Sequence, residues 1–410
     1  MTRWGFTAAA VLALALPGGA TARDARWTPA WGSSQMRIDG PNADKLAKAG
    51  PATIRQTVHL TAGGRVLRLR LSNIAGTAPL RIGAATIGAG TPGRSEVAQV
   101  LSVRFGGLPS VLIPPGAELY SDDIALPVTP GSDVTVSLYF PEAVTLPTGH
   151  SGARSTTYLA SGDATTRPAL PEAEKIGGWW ALSDVEVRDA AQTATIVTIG
   201  DSITDGYGIT DNSNSRWPDD FARRLAANAA TRRFSVVNAG IGGNRVLLDG
   251  LGPNLMARFD RDVIARPGVT HAILLEGVND LGVLTREHPV DEASHRAIVE
   301  QITIAYRQLA ARAHAHGIRL IGGTITPFQG SDYYHPGPET EADRQAINSF
   351  IRTSGVFDGV IDFDRAVRDP ARPDRLLAAY DSGDHLHPSM AGYKAMAAAI
   401  PLSLFTTPRR

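Results

Sequence analysis

Val197-Thr198-Ile199-Gly200-Asp201-Ser202-Ile203-Thr204-Asp205-Gly206 is the stretch from which the rest of the chain can be read. It begins as a short apolar run, breaks at a glycine, and presents a serine just after the break. A run of this kind suits a strand buried on both faces of a parallel sheet. The hydroxyl of Ser202 then stands at the carboxyl edge of the sheet. It also stands at the start of the next helix, whose free N–H groups favour developing negative charge. Alone, Gly-Asp-Ser is equally an ordinary turn or helix cap. It is not the Gly-x-Ser-x-Gly elbow, because Thr204 occupies the last position.

Outward from this block the same grammar repeats. Apolar runs at 196–199, 234–237, 271–275, 318–325 and 360–363 alternate with helical stretches. The clearest helix is expected over 296–316, where Ile298, Ile302, Ala305, Leu309 and Ala313 form one apolar stripe and Gly317 can end the helix. The β-α-β-α-β order predicts a parallel sheet covered on both faces. Ligands of such sheets bind beyond the carboxyl ends of the strands.

Before residue 160 the pattern is different. Leu67, Leu69 and Leu71 alternate with Arg68 and Arg70, and Val134, Val136, Leu138 and Phe140 alternate with Thr135, Ser137 and Tyr139. Period two marks half-buried strands, and frequent Pro and Gly leave no room for long helices. Gly63-Gly64, between the run 53–60 and the run at Leu67, reads as a hairpin turn. An antiparallel β-sandwich is expected, followed by a connector of little periodicity over 161–193.

Composition narrows the function. With 410 residues, 43% hydrophobic and 20% charged, the chain has material for two globular units. A net charge of +0 offers nothing for nucleic acid or a charged membrane surface. Cysteine is absent, so neither disulfides nor thiolate chemistry is possible. Arg3, the apolar run 6–16 and Ala20-Thr21-Ala22 read as an export signal cleaved after Ala22. The run is too short to span a bilayer, so no stable membrane insertion is expected after cleavage. Periplasmic or extracellular location follows.

Three further blocks carry candidate chemistry. In Val236-Val237-Asn238-Ala239-Gly240-Ile241-Gly242-Gly243-Asn244 a strand runs into a glycine-rich loop, where backbone N–H groups can approach a ligand. A plain βα turn has the same composition. In Leu274-Leu275-Glu276-Gly277-Val278-Asn279-Asp280 an amide side chain follows a strand end and can donate to an oxyanion, or cap a helix. In Asp381-Ser382-Gly383-Asp384-His385-Leu386-His387-Pro388 a carboxylate precedes a histidine by three residues, a spacing that can orient an imidazole. Asp384, His385 and His387 could alternatively ligate zinc, although no further ligands at zinc-motif spacing accompany them. Each block is weak alone. In one parallel sheet, however, the ends of successive strands share an edge.

In this order the four blocks resemble the GDSL lipase/acylhydrolase family, also called SGNH hydrolases, over about residues 194 to 405. The resemblance implies a three-layer α/β/α domain with a central parallel sheet and a serine esterase using no cofactor and no metal. It implies Ser202 as nucleophile, Asp384 and His387 as its catalytic partners, and Ser202, Gly243 and Asn279 as the oxyanion hole. Gly243 rather than Gly240 is selected because it lies five residues after Asn238, and the three-residue spacing selects His387 over His385. Ile203 stands where the family name has leucine, a conservative apolar change. The layout, with Trp27, Trp31 and a β-rich region ahead of the catalytic domain, is similar to the branch that includes arylesterases and acylhydrolases encoded beside xylan-degrading enzymes.

The expected organisation is a signal peptide at 1–22, a jelly-roll-like β-sandwich at 23–160, a connector at 161–193 and a catalytic domain at 194–410. The expected substrate is a small-molecule or polysaccharide ester, with acetyl groups on plant polysaccharide favoured. Lipase, lysophospholipase and arylesterase activities of the same family remain open, as does a carbohydrate-binding sandwich with a degenerate esterase domain. Trp217, Tyr333 and Tyr334 are candidates for stacking on sugars.

Overall fold

A computed structural model describes residues 26–188, 191, 192 and 194–406. The expected signal peptide lies outside them. The amino-terminal half is built from antiparallel strands in two facing sheets. One holds Thr28–Gly32, Leu182–Arg188, Val66–Ser72 and Glu118–Tyr120 in that order. The other holds six strands, with Ala52–His59 and Asp133–Phe140 at its centre. Leu67, Leu69 and Leu71 from the first sheet and Ile54, Val134, Val136 and Leu138 from the second are buried in one shared core. The period-two alternation is thus satisfied, because one face of each sheet turns inward.

Two expectations fail here for identifiable reasons. Gly63-Gly64 is not a hairpin turn. Ala52–His59 pairs with Asp133–Phe140 and Thr156–Ser161, whereas Val66–Ser72 belongs to the opposite sheet. Neither glycine has the positive φ that a two-residue primed turn requires at its first position. They are needed for close approach instead: a Cβ on Gly64 would lie 2.5 Å from the Arg188 carbonyl oxygen. The second failure is the connector. Glu174–Gly177 and Leu182–Arg188 within 161–193 are sandwich strands, and Leu182–Arg188 is central to its sheet. A shift in pairing between Leu182 and Asp184 interrupts the alternation and leaves only Asp184–Arg188, too short a stretch to stand out, in period two.

The carboxyl-terminal half carries a five-stranded parallel sheet. Its order is Phe234–Gly240, Ala194–Gly200, Val269–Leu275, Arg319–Gly323, Gly359–Ile361. Helices Trp217–Ala227, Phe363–Val367 and Met390–Ala399 pack together against it, and Leu255–Phe259, Glu292–Ala315 and Pro338–Thr353 form a second group. The long helix starts four residues earlier than its apolar stripe suggests. Asp291 caps it by accepting the Ser294 N–H, and Gly317 at φ +66° follows its end. The first strand in sequence, Ala194–Gly200, lies between the second and the third. The connections therefore reverse direction beside it, and the crevice opened by such a reversal is where ligands sit. The strands end level: Gly200 is paired with Gly240 on one side and with Leu275 on the other.

The two halves are joined by polar contacts. The Thr61 hydroxyl accepts from Val236 N–H (3.0 Å) on the edge strand of the parallel sheet. Arg266 pairs with Asp184 and donates to the Ser33 carbonyl (3.0 Å). Arg258 is fully buried and serves five partners: Gly200 O (2.9 Å), Ala239 O (2.7 Å), Asn244 Oδ1 (2.8 Å), the Ser34 hydroxyl (3.0 Å) and Asp262 Oδ2 (3.0 Å). One guanidinium thereby fastens two strand ends and a loop to the sandwich.

Candidate active site

Ser202 opens a four-residue helix, Ser202–Asp205, directly beyond its strand. Asp201 is extended and its carboxylate accepts the Ile203 N–H (2.9 Å), which starts the helix. Gly206, at φ +89°, ends it. The turn is tight enough to require glycine at its entry: a Cβ on Gly200 would lie 2.2 Å from the Leu275 carbonyl oxygen.

The structure brings the serine, histidine and aspartate blocks together. The Ser202 hydroxyl lies 2.8 Å from His387 Nε2, and His387 Nδ1 lies 2.6 Å from Asp384 Oδ2. Partial burial opposes charge on Asp384, but the His387 ring, the His387 N–H and the Leu386 N–H hold its carboxyl well below the usual carboxylate range. An ionised carboxylate only accepts, so Nδ1 carries the proton and Nε2 is free to accept from the serine. The Tyr207 ring lies against the imidazole, with ring centres 4.1 Å apart and the planes tilted by 31°.

Gly243 and Asn279 face the same cleft. Gly243 adopts φ +71°, a conformation that favours glycine. Among the described residues neither Ser202 N–H nor Gly243 N–H has an acceptor. Asn279 is in the first turn of Val278–Thr285. Its amide donates one hydrogen to Asn244 O (2.7 Å), and its carbonyl accepts from the Tyr334 hydroxyl (2.6 Å). A primary amide has two N–H bonds, so one remains for the cleft. Asp280 accepts from Val246 N–H (2.8 Å) and Leu247 N–H (3.2 Å), tying the far end of the glycine-rich loop to this helix.

Three carboxyl groups lie buried beneath the site. Burial raises Asp201 to about 7 and Asp280 to about 6. Burial and the neighbouring Asp201 push Glu276 well above the usual range, despite Arg258 at 3.6 Å. Neither Glu276 oxygen has a hydrogen-bond partner, which fits a neutral acid better than an ion.

The cleft has a volume of about 800 Å³ and is lined from both halves of the chain. Met36, His150 and Arg154 come from the sandwich. His150 Nε2 lies 2.8 Å from Asp205 Oδ1, and its Nδ1 lies 2.9 Å from Ser34 O. Burial works against a charge on His150, but the Asp205 carboxylate outweighs it and raises the pKa. A hollow of about 860 Å³ elsewhere, beside His295 and Asp343, contains none of the four motif blocks. Chemistry rather than size singles out the cleft.

The remaining candidates fall differently. Trp217 is fully buried in the core and Tyr334 is buried and bonded to Asn279, so neither offers a stacking face. Tyr333 is 59% exposed and lines the cleft. The zinc alternative does not fit the geometry. Both nitrogens of His387 have partners, and His385 Nδ1 faces Asp381 at 2.6 Å. Among the described residues no three His, Asp or Glu side chains are grouped to hold a metal ion. Sequence reasoning missed Tyr207, Arg258, His150 and Arg154; it named Tyr334 for a different role and quoted Asp280 in a motif block without assigning it one. Tyr207 adjoins the first motif block and could have been flagged; Arg258, His150 and Arg154 have no local signal.

Residues 198–395 match the family described as GDSL-like Lipase/Acylhydrolase. No curated protein matches the chain. Among solved structures, an acetylxylan esterase from Geobacillus stearothermophilus is 21% identical, with 53% of this chain and 96% of that one covered at a TM-score of 0.40. An alpha/beta hydrolase from the metagenome of Lake Arreo, Spain, is 22% identical, with 52% and 95% covered at 0.38. A GDSL-like lipase from Bacteroides thetaiotaomicron VPI-5482 is 18% identical, with 52% and 88% covered at 0.38.

Proposed function

Since residues 198–395 belong to the GDSL-like lipase/acylhydrolase family and make the chain a carboxylic ester hydrolase, we propose that Ser202 is the nucleophile of an exported esterase for small acyl esters. His387 Nε2 takes the hydroxyl proton as the serine oxygen bonds to the ester carbonyl carbon. Asp384 keeps the imidazole in the required tautomer and stabilises its charged form. The Ser202 and Gly243 N–H groups and the free Asn279 N–H receive the developing oxyanion. His387 then protonates the leaving alcohol, and water, activated by the same imidazole, hydrolyses the acyl-enzyme. The reaction calls on no cofactor.

One observation carries this reading: the unbroken contact chain Ser202–His387–Asp384 at 2.8 and 2.6 Å. The test is Ser202→Ala. Ester hydrolysis should disappear while the melting temperature stays the same, and a near wild-type rate would overturn the assignment.

For the substrate, we infer an acetyl or similarly short ester, carried on plant polysaccharide. The similarity to esterases encoded beside xylan-degrading enzymes supports this, as does exposed Tyr333 at the cleft, a face on which a sugar can stack. A panel of acetylated xylan, acetylated pectin, p-nitrophenyl esters of rising chain length and lysophospholipid tests it. Short acetyl esters should react fastest; fastest turnover of long chains would make the enzyme a lipase. The sandwich acts as a wall of the cleft in this reading, which the cleft-facing His150 and Arg154 support over a separate carbohydrate-binding module with a degenerate esterase. Export rests on the signal-like residues 1–22. Among the described residues no helix is long and apolar enough to cross a membrane.

A further inference from the structure

Arg154 is held in the cleft against the Tyr207 ring, with no anionic partner of its own. Among the described residues its guanidinium has no hydrogen-bond acceptor and no carboxylate in ion-pair range, and its Nε is buried and unpaired. A guanidinium offers five donors and always carries its charge, so leaving it unpaired at a half-buried position has a cost. The other charged groups of the cleft are accounted for. Asp384 faces His387, Asp205 faces His150, and Asp332 is exposed, where water screens it. The positive charge of Arg154 is left facing the substrate space.

The chain around Arg154 is fixed by the other half of the molecule. His150 is bonded to Asp205, and Gly152 packs so closely that a Cβ there would lie 2.1 Å from Asp205 Oδ2. Arg216 donates to the Ala153 carbonyl. Asn212 N–H donates to the Arg154 carbonyl (2.9 Å), and the Asn212 side chain accepts the Thr156 N–H (2.8 Å). These contacts hold Arg154 at φ +47°, a left-handed conformation unusual for a residue with a side chain. A strained, tightly pinned residue whose charge has no anionic partner is a feature of ligand clamps.

Its place relative to the reaction is defined by ring contacts. The Arg154 guanidinium lies over the Tyr207 ring (4.6 Å), and Tyr207 lies over the His387 imidazole (4.1 Å). The imidazole is the group that protonates the departing alcohol, so the alcohol part of the ester leaves on this side. The oxyanion donors receive the opposite end of the carbonyl.

Resting on the esterase reading and deepening it, we propose that Arg154 is a specificity-determining residue that binds an anionic group, of the carboxylate kind, on the alcohol part of the ester. Arginine suits this because its planar fork matches two carboxylate oxygens. The preferred substrate is then an acyl ester of an acidic alcohol, such as a uronate-bearing sugar, over its neutral counterpart.

The test uses the full chain and two pairs of soluble esters. The first pair is 3- and 4-acetoxybenzoate against the matching acetoxybenzamides, with charge on the leaving side. The second is 4-nitrophenyl hydrogen succinate against 4-nitrophenyl butanoate, with charge on the acyl side. The readout is the ratio of kcat/KM for the charged ester to that for the neutral one, which removes general losses of activity. In Arg154→Gln the leaving-side ratio should fall at least about 10-fold relative to wild type, the usual scale of a charged hydrogen bond. Arg154→Lys should restore part of it. An unchanged leaving-side ratio overturns the proposal, and a loss confined to the acyl-side ratio overturns its placement on the alcohol. Should the variants not fold, product inhibition of the wild type decides: 4-hydroxybenzoate should inhibit more strongly than 4-hydroxybenzamide, and equal inhibition overturns the proposal. Failure of the wild type to hydrolyse any of these esters would instead overturn the esterase reading, and this proposal with it.

Discussion

Asn279 shows how a single side chain is aimed. Its carbonyl is occupied by the Tyr334 hydroxyl and one N–H by Asn244 O, so the amide cannot flip and its second N–H has one direction left. Replacing Asn279 with alanine should lower kcat by about 10²–10³-fold, the scale of one lost oxyanion donor. Tyr334→Phe removes only the bond that orients the amide. It should lower kcat by about 5- to 10-fold, the equivalent of one neutral hydrogen bond. Both are measured as kcat per folded molecule alongside thermal melting. If Asn279→Ala changes only the melting temperature, the side chain is a helix cap. At this scale the motif residues were legible, because Ser202, Gly243 and Asn279 each follow a strand end within a few residues. Tyr334 was not, because its partner is 55 residues away and no local pattern joins them.

Among elements, the level ends of the parallel strands position Ser202, the proposed nucleophile. Gly240 closes the strand beside Ser202, and a Cβ there would lie 2.4 Å from Asp205 N and 2.8 Å from Asp205 Cα. Those are backbone atoms of the Ser202 helix and cannot swing aside. Gly240→Ala should therefore destabilise by about 1–3 kcal/mol through overpacking and reduce kcat with it. Gly242→Ala is the comparison: its nearest neighbour, Asp205 Oδ2, is 3.8 Å away, and the melting temperature should hardly move. Scanning calorimetry separates the two. The parallel strands could be read from sequence because most of them are apolar runs buried over much of their length, Ala194–Gly200 from end to end, and such runs depend little on their partners. The sandwich was harder. Leu182–Arg188 carries a pairing irregularity that breaks its alternation, and its partner Val66–Ser72 lies far upstream. Gly63-Gly64 has hairpin composition, but its use is set by which sheet each neighbouring strand joins, and local sequence does not encode that.

In the whole molecule the sandwich lines the candidate cleft beside the parallel-sheet half, and the buried His150–Asp205 pair is one of the bonds between the two. The folded-state pKa of His150 is raised above its ordinary value. Its contribution to stability is therefore full below the unfolded value of about 6.5 and is lost as pH rises through the raised folded value. The difference in melting temperature between wild type and His150→Gln should be largest below that value and shrink toward alkaline pH. A difference that grows with pH would mean the histidine is buried neutral. No sequence pattern announced this pair, because its two members belong to different halves and meet only after both have folded. The same architecture has a consequence for biosynthesis. The strand Thr28–Gly32 hydrogen-bonds along Leu182–Arg188, the last stretch of sandwich to leave the ribosome or cross a membrane. The earliest segment to emerge must then wait, unpaired, through the appearance of some 150 residues before its neighbour arrives, a long-range closure of the slow kind. Chaperones that shield exposed strands during that interval should govern yield more than any later event, and the enzyme should be unusually sensitive to the pace at which its chain is delivered.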